Sequence, residues 1–322
     1  MAAFDVVLVG CGNIGTRLLQ SLLTSVPEVH VLCIDPSPEA RALAEQRAGE
    51  VGIEASVDVA AEIPEGAAPD LAIVATTSAP RRSIVEALAA RLSPRLYLLE
   101  KFLFPKIEDY TAVADLLLES GARAYVHTPR PVWPGYISLT EMLAADRDIC
   151  RQMRVSGRQW NMASNAIHFV PAFEALARGS VVEWDASGLD ADPVPNKREG
   201  YLEVTGTLRG LTRDGAELIL HSAADDGPPL SVNLSTQCRE VSIDEAGGTM
   251  RLRSRANGAE VSEPFGMLRA SEMQDTFSAL SQTGTCRLPT LADLTAPHIA
   301  LIRHFNTIFF GPGHDDQACP VT

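Results

Sequence analysis

The sequence lacks any apolar run long enough to cross a membrane. Its longest apolar runs, Phe4–Val9 and Val29–Ile34, have the length of strands, whereas a membrane-spanning helix needs about 20 apolar residues. The start of the chain also lacks a basic segment followed by a small-residue cleavage site, so nothing there indicates secretion. We therefore expect a soluble, cytoplasmic protein without a membrane partner.

Positive charge and paired cysteines are also scarce. The chain has 27 Lys and Arg against 41 Asp and Glu, a formal net charge of -14. Such a surface repels phosphate backbones, so we expect no nucleic-acid partner. The 6 cysteines are scattered without the spacing of a zinc site or a disulfide framework. We expect no metal site, and reduced thiols that are mostly buried.

The composition and length are those of a globular chain with two domains. At 46% hydrophobic and 21% charged residues, the 322-residue chain is long enough for two sizeable cores. Residues 1–127 alternate strand and helix patterns at the spacing of βαβ units, which predicts an α/β fold with a doubly wound parallel sheet. The predicted strands are Phe4–Val9, Val29–Ile34, Gly52–Ala55, Leu71–Ala75, Leu96–Leu99 and Ala122–Val126, and the predicted helices are Ile14–Leu23, Pro38–Arg47, Arg81–Leu92 and Glu108–Ser120.

A change of sequence pattern after His127 indicates a domain boundary. Pro129, Pro131 and Pro134 crowd one short stretch, and strand patterns dominate the residues that follow. We therefore expect a second domain over residues 128–322. Its predicted strands are Arg154–Trp160, Val181–Trp184, Tyr201–Leu208, Glu217–His221, Leu230–Ser235 and Met250–Arg253, followed by predicted helices at Met267–Gln282 and Ala292–Phe309.

A glycine-rich motif joins the first predicted strand to the first helix. Its residues are Gly10, Cys11, Gly12, Asn13, Ile14 and Gly15. In this context the first glycine makes the turn, the second lets the backbone approach a pyrophosphate, and the third lets helix and sheet pack closely. Asp35 ends the second strand at the spacing of a residue that binds the adenosine ribose and repels a 2'-phosphate, although aspartate is also a common turn residue. The motif predicts that NAD binds here in preference to NADP.

The first domain resembles the glucose-fructose oxidoreductase, inositol dehydrogenase and rhizopine-catabolism family (Gfo/Idh/MocA). The resemblance rests on the glycine motif, on Ala75-Thr76-Thr77 after strand four, and on Leu99-Glu100-Lys101-Phe102 after strand five. It implies a Rossmann domain followed by an α/β domain on an open, largely antiparallel sheet. It also adds Thr76, Thr77, Glu100 and Lys101 to the cofactor site and makes Lys101 a catalytic residue beside the nicotinamide. Phe102 stands where the family has proline, so a loop geometry that relies on a cis bond is expected to differ.

A second stretch resembles the family motif that carries a histidine at a helix start. His168 matches that histidine and is the second predicted catalytic residue, whereas Ser164 or Asn165 stands where the first acid is expected and Pro171 where the second is. A capped or core histidine is the alternative. Predicted substrate-binding residues are Arg130, Trp133, Tyr136, Trp160, Asn161, Asn165 and His168. A core position is the alternative for Trp160 and Asn161.

The resemblance implies an NAD-dependent dehydrogenase or reductase. We expect it to transfer hydride between nicotinamide and a secondary alcohol or ketone of a sugar, cyclitol or nucleotide-linked sugar, with Lys101 and His168 handling the hydroxyl proton. Two alternatives stay open: a reductase of imine or C=C bonds, and a catalytically idle NAD-binding sensor or scaffold. An open sheet in the second domain implies, again by resemblance, a homo-oligomer.

Overall fold

A computed structural model describes residues 4–52, 56–224 and 227–322. The chain forms two compact units. The first comprises Met1–His127, Leu268–Thr295 and Thr322, and the second comprises Thr128–Met267 and Ala296–Val321.

The first unit contains a parallel sheet. Its strands are β1 (Phe4–Val9), β2 (Val29–Ile34), β3 (Ser56–Ala60), β4 (Leu71–Val74), β5 (Leu96–Glu100) and β6 (Arg123–His127). Their order in space, β3-β2-β1-β4-β5-β6, is that of a doubly wound Rossmann sheet, which confirms the predicted fold class. Beyond Gly52, the predicted strand Gly52–Ala55 lies outside the described residues, and β3 follows it directly.

Helices connect these strands and bury their apolar faces on the sheet. They are α1 (Asn13–Ser25), α2 (Pro38–Gly49), α3 (Arg81–Arg91) and α4 (Ile107–Ser120). In α1, Leu18, Leu19 and Leu22 are almost wholly buried. The Ser37 hydroxyl caps α2 by accepting a hydrogen bond from the Ala40 amide, and Pro38 supplies the fixed φ that suits a first helical residue.

The second unit is built on a mixed, largely antiparallel sheet, as the family resemblance predicts. Eight strands form it in the order β16-β15-β14-β13-β7-β12-β11-β8, with β7 and β12 parallel. A separate pair of short strands, β9 and β10, runs antiparallel. The bounds are β7 (Cys150–Arg158), β8 (Val181–Leu189), β9 (Val194–Pro195), β10 (Leu202–Glu203), β11 (Gly206–Thr212), β12 (Glu217–Ala223), β13 (Ser231–Thr236), β14 (Arg239–Asp244), β15 (Thr249–Ser254) and β16 (Glu260–Pro264).

Three α-helices precede or follow β7: α5 (Pro134–Ala145), α6 (Met162–Asn165) and α7 (Val170–Ala177). Short 3₁₀ helices lie at Arg130–Val132 and Ala166–His168. Apart from the helix start that the resemblance implies near His168, the sequence predicted none of these helices. Each predicted strand of this unit overlaps an observed strand, whereas β9, β14 and β16 had no predicted counterpart.

The chain returns to the first unit at Leu268–Thr295. This segment contains a 3₁₀ turn at Ala270–Glu272 and the helix α8 (Gln274–Thr283). The Met273 amide donates to the Ser21 hydroxyl of α1 at 2.8 Å, and the Ser278 hydroxyl donates to the Ser25 carbonyl at 3.2 Å. The segment thus differs from the predicted ranges, which assigned it to a domain over 128–322.

The last helix, α9 (Leu291–Phe310), crosses the boundary between the units at Thr295 and Ala296. It matches the predicted helix Ala292–Phe309 and contains Pro297. No helix among the described residues is long and apolar enough to span a membrane. All 6 cysteines are free thiols; Cys238 is exposed, Cys286 is half-buried and the other four are buried.

Candidate cofactor and active site

The glycine loop between β1 and α1 has the shape that a dinucleotide needs. Gly10 has a φ of +97°, which suits only glycine, and a Cβ added there would lie 2.9 Å from the Ala75 carbonyl carbon. A Cβ added to Gly15 would lie 1.9 Å from the Gly10 carbonyl oxygen, so this glycine lets α1 pack against the loop. By contrast, no described atom lies within 4 Å of a Cβ added to Gly12. The loop is therefore closely packed at Gly10 and Gly15, whereas the space next to Gly12 is open.

The N-terminus of α1 is also suited to an anion. Gly12 occupies the N-cap and has no side chain to bond the first amides, and the first turn contains no acidic residue. Gly12 and Asn13 are exposed, and Ile14 is half-buried. Free amides and the positive end of the helix dipole stabilise a phosphate at such a position. The residues present thus fit the pyrophosphate of a dinucleotide.

Asp35 supports the glycine loop from the end of β2. Its Oδ2 accepts a hydrogen bond from the Cys11 amide at 2.9 Å, and its Oδ1 accepts one from the Ser37 amide at 2.9 Å. The guanidinium of Arg41 donates to the Asp35 carbonyl at 2.7 Å and the Pro36 carbonyl at 3.0 Å. Arg41 thus places a positive charge at the strand end where the sequence predicted only the negative charge of Asp35.

A buried arginine that the sequence did not reveal joins two loops of the site. Arg81, at the start of α3, is fully buried. It donates to the Leu103 carbonyl at 2.6 Å and also bonds the carbonyls of Phe102 and Thr76. The predicted cofactor loop at Thr76 and the predicted catalytic loop after Lys101 are therefore held by one guanidinium.

Lys101 lies at the carboxyl end of β5, half-buried, where ligands of a Rossmann sheet bind. The Lys101–Phe102 peptide bond is cis although Phe102 replaces proline. The expectation of an altered loop geometry is therefore wrong on this point. Phe102 is completely buried, and its carbonyl is one of the groups that Arg81 holds.

Glu100, immediately before Lys101, is a buried carboxylate with two partners. Its Oε1 lies 2.7 Å from Nδ1 of His127, and its Oε2 accepts a hydrogen bond from the Lys101 amide at 2.7 Å. Burial opposes ionisation, but the electrostatic interaction and hydrogen bond with His127, together with the charges of Lys101 and Arg81, outweigh it and hold the pKa of Glu100 below its usual value. The carboxyl edge of β5 and β6 thus carries an ionised glutamate beside Lys101.

The stretch around His168 lies in the second unit and carries a carboxylate from elsewhere in the chain. His168 ends the 3₁₀ helix Ala166–His168 and is half-buried. Glu203 of β10 accepts hydrogen bonds from the Ser164 hydroxyl, from the Ser164 amide at 3.3 Å and from the Asn196 side chain at 2.7 Å. Burial raises the pKa of Glu203 in spite of these donors. The carboxyl group of Glu203 therefore lies beside Ser164, although the sequence motif has no acidic residue at that position.

Arg130 does not offer a free charge for a substrate anion. Its Nε and Nη2 bind the two oxygens of Glu245 at 2.9 and 2.8 Å, and its guanidinium lies 3.7 Å from the ring centre of Phe169. Tyr136 donates its hydroxyl to the same glutamate at 2.7 Å. Burial, together with Glu245, raises the pKa of Tyr136 well above its usual value. These contacts are those of a packed core cluster and do not favour the predicted substrate contacts at Arg130 and Tyr136.

The remaining predicted substrate residues lie in two places in the second unit. The indole nitrogen of Trp133 is buried and has no hydrogen-bond partner among the described residues. Trp160, however, donates its indole N–H to the His221 carbonyl at 2.8 Å, and Asn165 donates to the Trp160 carbonyl at 2.9 Å. Asn161 adopts a left-handed backbone at the start of α6. Trp160 and Asn165 thus bond the protein itself.

Comparison with known proteins defines the class of the first unit. Residues 4–128 match the model of an oxidoreductase family with an NAD-binding Rossmann fold, GFO_IDH_MocA. This match confirms the predicted resemblance to the family and NAD as the cofactor. No curated protein matches the chain significantly.

Solved structures share the fold over nearly the whole chain. An oxidoreductase from Agrobacterium radiobacter in complex with NAD+, L-tartaric acid and magnesium has a TM-score of 0.73 at 16% identity, covering 96% of this chain and 97% of that chain. UDP-N-acetylglucosamine 3-dehydrogenase from Acidithiobacillus ferrooxidans has 0.67 at 14%, covering 98% and 100%. A super-repressor mutant of Gal80p from Saccharomyces cerevisiae has 0.72 at 11%, covering 97% of each. These likenesses establish the fold of both units.

Proposed function

We propose that the protein is an NAD-dependent dehydrogenase or reductase that acts on a secondary alcohol or ketone of a sugar, cyclitol or nucleotide-linked sugar. The observation that carries the proposal is the position of Lys101, whose charge acts on Glu100 at the carboxyl end of β5. A lysine there can hold or supply the proton of a hydroxyl group, while NAD supplies the hydride chemistry when it is bound.

The residues of the first unit divide the work of binding. Gly10, Gly12 and Gly15 admit the pyrophosphate to the amides of α1, as their geometry favours. Asp35 receives the adenosine ribose, and Thr76 and Thr77 line the next loop. The roles of Asn13, Ile14 and Glu100 in cofactor binding, and of His168 in proton transfer, stay predictions from the resemblance.

The structural neighbours support a polyhydroxylated substrate. One of them is a dehydrogenase of UDP-N-acetylglucosamine, and another holds L-tartaric acid together with NAD+. Both compounds carry secondary hydroxyl groups, the group on which the proposed reaction acts.

The test is a screen of sugars, cyclitols, hydroxy acids and nucleotide sugars with NAD+, read from the absorbance of NADH. Keto sugars and cyclic imines with NADH complete the panel, because turnover on imines alone would assign the protein to imine reduction. Lys101→Met serves as the control for each hit. Turnover that survives this substitution unchanged would contradict the role proposed for Lys101.

A second candidate is an NAD-binding protein without catalysis. It is favoured by the shared fold of Gal80p, described as a repressor, and by the absence of acids at positions 164, 165 and 171. This candidate predicts NAD binding in calorimetry with no turnover on any member of the panel. Glu203 accepts a hydrogen bond from Ser164, which weakens the argument from the missing acids. The predicted homo-oligomer stays a prediction under either candidate.

A further inference from the structure

Glu100 and His127 end neighbouring strands of the first sheet and face each other. They are partners in the register of β5 and β6, and Nδ1 of His127 lies 2.7 Å from Oε1 of Glu100. Only 5% of the His127 side chain and 9% of the Glu100 side chain are exposed. The pair therefore lies at the edge where a Rossmann sheet binds its ligands, shielded from bulk water.

The hydrogen bonds of Glu100 fix the proton on the imidazole. Its pKa is held below the usual value, so at neutral pH both carboxylate oxygens are acceptors only. Oε2 receives the Lys101 amide, and Oε1 must receive the Nδ1–H of His127. A neutral His127 thus carries its proton on Nδ1 and a lone pair on Nε2.

Nε2 of His127 has no partner to match that lone pair. The atom is buried, and none of the described residues offers it a hydrogen bond. The part of the chain that the structure describes also contains no group of three or more metal-ligating side chains. Buried polar atoms are nearly always satisfied, so an atom left in this state at a ligand-binding edge indicates a bound group.

We propose that Nε2 of His127 accepts a hydrogen bond from a hydroxyl group of the bound ligand, and that Glu100 is the positioning residue that holds the proton of the neutral imidazole on Nδ1 and so leaves the lone pair on Nε2. The inference rests on the proposed function in one respect, that the ligand carries hydroxyl groups. Two sources supply one: a ribose of NAD and the alcohol substrate.

The first experiment needs no substrate. The full-length protein, labelled with ¹⁵N in histidine, is observed by long-range ¹H–¹⁵N NMR at neutral pH, with the half-buried His30 as the internal reference. We expect the unprotonated nitrogen of His127 to be Nε2. Glu100→Gln should reverse this tautomer, because its carbonyl must accept the Lys101 amide and its NH₂ then donates to Nδ1. A free protein in which Nε2 carries the proton would overturn the proposal, whatever the result of the turnover screen.

The second experiment identifies the source of the hydroxyl. NAD+ is added alone, and then together with each polyol of the screen at high concentration. A shift of the Nε2 resonance with NAD+ alone indicates the ribose, whereas a shift that requires a polyol indicates the substrate. Both results support the proposal. An Nε2 resonance that stays in place in every sample overturns it.

Two variants separate the ligand contact from the fold. His127→Asn retains a donor near the Nδ1 position for Glu100 but has no atom at Nε2, so we expect a normal circular dichroism spectrum and about tenfold weaker binding of the ligand identified above. His30→Asn is the matched control and should bind as the wild type does. Equal affinity in His127→Asn and the wild type would show that Nε2 contacts no ligand.

Discussion

Alanine at Gly15 and alanine at Gly12 are the same substitution in the same loop, and the structure predicts opposite consequences. The Cβ of Gly15→Ala would lie 1.9 Å from the Gly10 carbonyl oxygen, although real Cβ contacts are essentially never closer than 3.0 Å. The contact is with backbone, so α1 and the loop must separate by roughly 1 Å, which loosens packing around Leu18 and Leu22. We expect a loss of about 3 kcal/mol, the upper part of the range for overpacking.

A loss of that size lowers the thermal midpoint by roughly 6 to 12 °C, which is easily measured by circular dichroism. Gly12→Ala should cost about 1 kcal/mol or less, because no described atom lies near its Cβ. Its methyl group instead occupies the open side of the loop, so NAD affinity in calorimetry should fall by about tenfold or more. Gly12→Val should abolish binding in a folded protein.

Two results would refute this reasoning. A wild-type midpoint for Gly15→Ala would mean that α1 does not pack on the loop as described. Wild-type NAD affinity in folded Gly12→Val would mean that the dinucleotide does not approach the backbone at this glycine.

Three further outcomes are expected. NADH should bind more tightly than NADPH in calorimetry, and Asp35→Ser should reduce this difference in affinity. Arg41→Met should increase the difference if the guanidinium assists binding of a 2'-phosphate. Tighter binding of NADPH by the wild type would show that Asp35 only supports the loop. Lys101→Met should lower turnover by about two to four orders of magnitude with little change in NAD affinity, and His168→Ala should give a loss of the same kind; additive losses in the double variant would mean that the two residues act independently. The fold lowers the pKa of Glu100, so the stability that its carboxylate contributes is present above the ordinary glutamate pKa of 4.5 and is lost as pH falls through the folded pKa. Glu100→Gln should therefore make the melting temperature depend less on pH in the acid range. An unchanged pH dependence would contradict the lowered pKa.

The cofactor loop could be predicted because its determinants are local. Turn, close approach and helix packing each require a glycine at a fixed offset, so Gly10, Gly12 and Gly15 are recognisable in the sequence alone. Arg81 is the opposite case. Its partners are main-chain carbonyls, which every residue has, so no residue type in the sequence points to it.

The partners of the predicted substrate residues could not be recognised in the sequence because they lie far away along the chain. Arg130 looks like a free cation in sequence because the glutamate that neutralises it is Glu245, 115 residues away. Glu203 is likewise 39 residues from the Ser164 that it binds. Pairings of this kind depend on how distant segments of the second unit meet, which the periodicity of the sequence does not specify.

The missed elements also have physical causes. The helices α5 and α7 each contain a proline in the first turn, where its missing N–H costs nothing. Pro134 of α5 belongs to the proline-rich stretch that the sequence indicates as a domain boundary, so the same residue gives no helix signal. The strand β16 is exposed along its whole length, so no alternation of apolar and polar residues marks it.

The return of Leu268–Thr295 to the first unit means that the nucleotide-binding half of this chain cannot be excised as one piece. A fragment ending at His127 would lack α8 and the Met273 amide, leaving Ser21 and the outer side of α1 facing water. Grafting this half onto another substrate domain, or permuting the chain at residue 127, would therefore have to carry the returning segment along. The modular unit is a pair of separated stretches, and recombination would need two junctions to exchange it intact.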